Sequence, residues 1–378
     1  MRRLLLAVLA MAPLLGGCWD QYSIERLGFV TIVAVDGTPG KIHAILNTVV
    51  PGNLPNSIST GTKGSASDQY VGDGPTLYEA IRAANKEAPK RLFFGQIQDV
   101  IIGEQLAAAG GLQDVLDFFG RENKSRNIAW VYMAKSKDLQ SLVKLNPVGV
   151  SYPAEALNNL SIIERLQGDA IPRRIFDVGN GITRTDTALS IPRITPRDQN
   201  FALDGTDLFH GKWLIGHVGD VPSRGIALLS GLVAAPLVNA SCRDGGKVSV
   251  VLRSVHPKLG AEVVQGKLRS LWVLVKASGD ITQVIHCPGS LKDPSVSGPI
   301  YASAADDLTQ IVATTVRELQ AYKSDGVGFG EQIREHYPGV WSQVGADWSR
   351  RTFPHLNVAI HVEVTVSNSG LLDGQANA

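Results

Sequence analysis

Residues 93–133, FFGQIQDVIIGEQLAAAGGLQDVLDFFGRENKSRNIAWVYM, decide how the first half of the chain folds. Phe93 to Ile102 is rich in apolar and β-branched residues and reads as a strand. Leu112, Val115, Leu116 and Phe119 then fall on one face of a helix, which Gly120 closes. Ile128 to Met133 reads as a second strand. Upstream, Thr76 and Glu79 form a capping box behind Pro75, and Leu77, Ala80, Ile81 and Ala84 give the following helix one apolar face that ends at Pro89. Further upstream, Phe29 to Val35 is an apolar strand closed by Asp36-Gly37, with Lys41 to Val50 as its partner. Residues 51–74 read as a surface loop with a short strand near Gln69 to Val71. Strands and helices in alternation predict a sheet with helices packed on its face.

Downstream, Glu155 to Arg165 reads as a helix, and a region rich in Pro, Arg and Asp follows to about Asn200. A domain boundary is expected there. Phe201 to Val218 has a hairpin pattern around His210-Gly211-Lys212, and Val248 to Val255 and Ser270 to Lys276 read as strands. Leu308, Ile311, Val312, Thr315, Leu319 and Tyr322 mark an amphipathic helix ended by Asp325-Gly326. Val358, Ile360, Val362, Val364 and Val366 alternate as a half-buried strand. The expected class is α+β, multi-domain with two to three domains, its mixed sheets each packed with amphipathic helices. The expected division is 1–17, 18–200, 201–300 and 301–378, with 201–378 able to act as one unit.

Composition excludes several classes. The chain of 378 residues is 44% hydrophobic and 19% charged, enough to bury real cores. Its formal net charge is +1 and no long basic run occurs, so no field draws it to nucleic acid.

At the N-terminus Arg2 and Arg3 precede an apolar run from Leu4 to Leu15, too short to span a membrane and of the size of a signal-peptide core. Leu15-Gly16-Gly17-Cys18 then reads as a lipobox: a branched residue, two small ones, and the thiol that takes diacylglycerol before cleavage. Residues 1–17 are read as the lipoprotein signal peptide and Cys18 as the lipidation site. Gly225 to Val238, the longest other apolar candidate, is broken by Ser230, Gly231 and Pro236 and reads as a buried helix or strand. Cys242 and Cys287 are the remaining cysteines; outside the cytoplasm they either pair or stay as two buried thiols.

A search for chemistry finds no catalytic constellation. Phosphate-loop, zincin and hydrolase-elbow motifs are missing from the sequence. Gly326-Val327-Gly328-Phe329-Gly330 follows a helix instead of a strand, so it reads as a helix end and tight turn and not as a phosphate cradle. His286-Cys287, His355 and His361 are poorly spaced for one metal ion. Glu331, Glu335 and His336 read as a solvated helix face. Trp341 and Trp348, seven apart, are expected on one helix face, either packed on the core or offered to a protein partner. No catalytic, metal or cofactor residue is expected.

Several blocks together resemble one family. Leu15-Gly16-Gly17-Cys18-Trp19-Asp20 running into Ile24-Glu25-Arg26-Leu27-Gly28-Phe29-Val30, Pro89 to Gln96, Val100 to Glu104 and Val115 to Phe119 are similar to the first half of the Ger(x)C lipoproteins. Trp213 to Gly216, Ser223 to Gly225, Ser324 to Gly330, Tyr337-Pro338, Trp341, Trp348 and Phe353-Pro354 resemble the second half. These lipoproteins are C subunits of GerA-type nutrient germinant receptors. The resemblance implies an α+β multi-domain fold and no enzymatic activity. It also implies a lipid anchor at Cys18 on the outer face of the spore inner membrane, and partnership with polytopic A and B subunits. No direct small-molecule ligand is implied. The rival expectation is a lipoprotein that binds solutes for a transporter, which would need two similar lobes about a cleft.

Overall fold

The computed structural model describes residues 27–50, 54, 66–121, 128–184, 186–232 and 236–368. The stretch 1–17 expected as a signal peptide, and Cys18 and Trp19, lie outside the described residues.

The first hairpin forms where the sequence is most β-branched. β1 (Leu27–Thr38) pairs antiparallel with β2 (Lys41–Val49), and β2 with β3 (Ser67–Gly74). The Thr76 hydroxyl accepts the Glu79 N–H and caps α1 (Leu77–Glu87), as the T-x-x-E pattern dictates. Gly72 is required here: a side chain on it would run into the α1 backbone at Ala80 and Ala84. The chain then returns as β4 (Arg91–Phe93) and β5 (Asp99–Gly103), both parallel to β1. The single strand expected over Phe93 to Ile102 is thus two, because the chain turns at Phe94, whose carbonyl accepts the Ile97 N–H. α2 (Glu104–Ala108), α3 (Leu112–Arg121) and β6 (Trp130–Ala134) follow, β6 parallel to β5. Next come α4 (Leu139–Lys144) and α5 (Pro153–Gln167).

The stretch 168–200 is more regular than its composition suggests. It contains β7 (Arg173–Arg174), α6 (Ile175–Thr183) and β8 (Leu189–Arg197). Pro192 and Pro196 are tolerated in β8 because its ladder with β6 is a single bridge, Met133 to Arg193, so few donors are missed. β9 (Asn200–His210) and β10 (Trp213–Val218) complete a ten-stranded mixed sheet, ordered β10-β9-β8-β6-β5-β1-β2-β3 with β4 and β7 alongside. The division expected at residue 200 falls between the paired strands β8 and β9, so the sheet does not break there. Val30, Val33, Val35, Val100 and Ile102 pack under α1, α2, α3 and α6, while Ile32, Ala34, Ile101 and Tyr132 pack under α4 and α5. Both faces are covered there, which is why β1, β5 and β6 are mostly apolar and buried on both sides.

α7 (Asp220–Leu229) leads into the second sheet, ordered β11 (Leu237–Ser241), β12 (Lys247–Val264), β13 (Lys267–Ile285) and β14 (Val358–Asn368). Gln265 and Gly266 both have positive φ, the two-residue turn that fits the twist of a hairpin. α8 (Pro294–Ala321) lies on this sheet through Ile300, Leu308, Ile311, Val312 and Leu319. It begins well before the expected Leu308, since Ser, Ala and Gly in its first turns mute the apolar period. The middle and C-terminal segments thus share one core, with β14 parallel to β13.

A buried aspartate joint and its surroundings

α8 ends at a tight turn, and the next helices, α9 (Phe329–His336) and α10 (Pro338–Val344), are short. Between α8 and α9 the sequence places Asp325 ahead of Gly326 and Gly328, with Gly330 in the first turn of α9. The side chain of Asp325 is fully buried. Its Oδ1 accepts the backbone N–H of Gly328 at 3.0 Å and of Phe329 at 3.1 Å. Its Oδ2 accepts the N–H of Gly330 at 2.6 Å and the Trp348 indole N–H at 2.8 Å. Gly328 sits at φ 92°, which opens the turn, and Gly330 has no room for a side chain against Asp186 and Trp348. The glycine-rich run therefore does make an anion cradle of backbone N–H groups, and the chain's own carboxylate fills it. Burial pushes the Asp325 carboxyl up from its ordinary value, while the four donors pull the other way.

The same residue joins the two sheets. The Asp325 carbonyl accepts the Ala188 N–H at 2.8 Å and the Thr187 hydroxyl at 3.1 Å, just before β8 of the large sheet. Beside it, Arg184 pairs with Asp186 at 3.0 Å and with Glu331 at 2.6 Å, and Arg334 reaches Asp186 from α9. Burial acts to raise the Asp186 carboxyl, but the Arg184 and Arg334 guanidinium groups outweigh it and hold the group below its usual range. Glu331, expected on a solvated face, is thus part of an ion cluster across the joint. Glu335 and His336 are exposed.

Trp341 and Trp348 are brought together, with ring centroids 5.9 Å apart. They do not share a helix: α10 stops at Val344, and Trp348 begins a separate π-helical turn to Thr352. Trp348 is 1% exposed and packs on Phe353, so it cannot serve as a partner anchor; that expectation is corrected by its burial and its bond to Asp325. Trp341 is partly buried against the same core. Cys242, just past β11, and Cys287, just past β13, are joined by a disulfide with Cα atoms 5.8 Å apart. His286 beside it has φ 53° and stays exposed. Among the described residues, no three His, Cys, Asp or Glu side chains gather to hold a metal ion.

The large sheet encloses a different polar group. Under α5, Asp99 is completely buried, and neither carboxyl oxygen has a hydrogen-bond partner among the described residues. Burial pushes it well above the carboxylate range. The Tyr132 hydroxyl donates to the Leu157 carbonyl at 3.0 Å and pairs with Ser161 at 2.6 Å. Glu164 on the same helix is raised to about 7, first by burial and then by Asp169, against a backbone hydrogen bond from Ala170. At β8 and β9, Arg193 and Asp207 form a buried ion pair at 2.9 Å that His217 joins. Sequence reading identified none of these groups, since each lies in a strand or helix whose period alone marks it as core or surface. The acid followed by alternating glycines was the one readable signal for Asp325.

The comparisons with known proteins cover the chain in two blocks. Residues 20–196 match the spore germination protein N-terminal domain, and residues 204–370 match the spore germination B3/GerAC-like C-terminal domain. The two blocks meet between β8 and β9, inside the ten-stranded sheet. Spore germination protein KC of Bacillus subtilis (strain 168) is 26% identical over 98% of this chain and 97% of its own length. Spore germination protein A3 of the same organism is 22% identical over 94% of this chain and 95% of its own length. The crystal structure of the GerBC protein superposes with a TM-score of 0.59 at 16% identity, covering 92% of this chain and all of that one, which establishes a shared fold. Both halves and their order agree, and the chain belongs to the GerAC family of spore germination proteins.

Proposed function

We propose that this protein is the lipid-anchored C subunit of a nutrient germinant receptor, held on the outer face of the spore inner membrane through Cys18 and coupled to polytopic A and B subunits. The end-to-end match to spore germination proteins carries this reading. The lipobox Leu15-Gly16-Gly17-Cys18 supports the anchor. No helix among the described residues is long and apolar enough to cross a membrane, so the membrane attachment proposed here is the acylated cysteine.

Each buried methylene of an acyl chain contributes about 0.8 kcal/mol, so two or three chains hold a body at the surface for its lifetime. The tether raises the local concentration of that body at its membrane partners without new contacts. The role needs no catalysis and no ligand of its own: the body couples subunits, and the Asp325 joint lets its two sheets move as one piece. Replacing Cys18 by Ala tests the reading. Germination in response to nutrients is expected to be lost with the unlipidated protein present. Normal germination, with the protein at ordinary abundance and shown to lack lipid, refutes the tether.

A further inference from the structure

We propose that the end of the large sheet from which β1 starts is a membrane-contacting face, which receives anionic lipid headgroups at Arg165 and Arg174 and rests Ile128, Ile162, Leu166 and Phe176 on the interface. The inference rests on the acylation of Cys18 proposed above. Only eight residues, nine Cα steps, separate Cys18 from Leu27, the first residue of β1. Fully extended they reach at most about 30 Å, so this end of the sheet cannot lie far from the bilayer.

β5 and β6 run parallel to β1 from the same end, and Trp130 lies beside both Asp99 and Arg174 in the ladder. The Ile175 N–H donates to the Ala129 carbonyl, which puts Ile128 and Phe176 at that rim. Ile128 is 52% exposed and Phe176 64%. The C-terminal half of α5 crosses there with its polarity reversed. After Ala154 and Leu157, which pack inward as usual, its inner face carries Ser161 and Glu164, whereas Ile162 and Leu166 are 51% and 52% exposed. A helix on a water-facing surface shows the opposite pattern. Asn158, Ile162, Arg165 and Leu166 follow one another at i, i+4, i+7 and i+8, so they share a stripe. Asn158 fixes that stripe against the rim by accepting the Trp130 indole N–H at 3.1 Å.

The charge fits the same occupant. Arg174 lies 4.2 Å over the Trp130 ring and donates to the Ile128 carbonyl. With Arg165 and Arg173 it lines a notch of about 160 Å³ whose one carboxylate is Asp177, itself engaged by the Arg174 backbone N–H. Lys90 and Arg91 flank Leu27 at the same end. Basic groups beside exposed apolar ones are the composition that binds an anionic lipid surface.

The full lipidated chain in phospholipid vesicles tests this. With Cys18 acylated and Cys242 joined to Cys287, a cysteine introduced as Phe176→Cys, Leu166→Cys or Pro39→Cys is the only free thiol for an environment-sensitive fluorophore. Pro39 is exposed in the turn at the far end of β1, some 36 Å from Leu27 by strand rise. In vesicles containing phosphatidylglycerol and a doxyl-labelled lipid, labels at 166 and 176 are expected to be quenched at least about twofold, and the label at 39 not. Arg165→Glu is expected to weaken that quenching, as is an all-phosphatidylcholine bilayer. Labels at 166 and 176 that stay bright while the chain remains on the vesicles overturn the face. Equal quenching without anionic lipid overturns the headgroup contact. A chain that leaves the vesicles overturns the anchor instead.

Discussion

Asp325 and Asp99 are both completely enclosed, one in the joint between the sheets and the other in the core of the large sheet. Asp325 receives four N–H donors; Asp99 receives none among the described residues. All four donors on Asp325 lack acceptor character, so the arrangement suits the ionised group, and the carboxylate fixes the positions of α9 and Trp348 around it. Asp99 has only burial acting on it, and the neutral acid is the form that such a site holds. The first is a fastener and the second a polar residue that the fold tolerates. Burial by itself does not identify a working carboxylate; the donors do.

The contrast can be broken in order of effect. Asp325→Ala leaves four buried donors without an acceptor and is expected to cost about 3–5 kcal/mol in chemical unfolding, with Asp325→Asn in between. A cost near zero would mean the joint is held by its ion cluster alone. Cys287→Ser opens a link between positions 45 apart in sequence and is expected to cost about 3–4 kcal/mol under oxidising conditions. A larger loss than that of Asp325→Ala would shift the weight of the second half from the joint to the disulfide.

Glu164 gives a pH signature. Its folded value of about 7 lies above the ordinary carboxyl range, so between the two values the folded chain holds a proton that the unfolded chain has lost. Stability from this group therefore falls as pH rises from about 4.5 to about 7 and is flat above. Glu164→Gln is expected to remove that slope and to gain about 1–2 kcal/mol at pH 8 after allowance for solvent screening, read by melts across pH. Asp99→Asn is expected to change least, within about 1 kcal/mol, because the site already holds a neutral group. A large loss would show that Asp99 has a partner after all and would erase the contrast.

Much of the fold was legible. Thr76 and Glu79 marked α1, Leu112 to Phe119 marked α3, and the alternation from Val358 to Val366 marked β14, because each pattern depends only on neighbours in sequence. The region after Gln167 was not legible: Pro192 and Pro196 argue against a strand, and only the sparse pairing of β8 with β6 makes room for them. The Trp341 and Trp348 spacing fitted one helix, but the helix ends at Val344 and Trp348 turns inward to a carboxylate 23 residues earlier in the chain. Asp99, Glu164 and the Arg193–Asp207 pair depend on contacts between distant strands and helices, which periodicity does not encode. Cys18, the residue on which the proposed role depends, was read from local chemistry alone.

That residue also offers the most direct test. Mass spectrometry of the protein from spore membranes is predicted to find an N-terminal peptide that begins at Cys18 and carries a diacylglycerol thioether. An unmodified peptide from protein recovered in the soluble fraction would contradict the account.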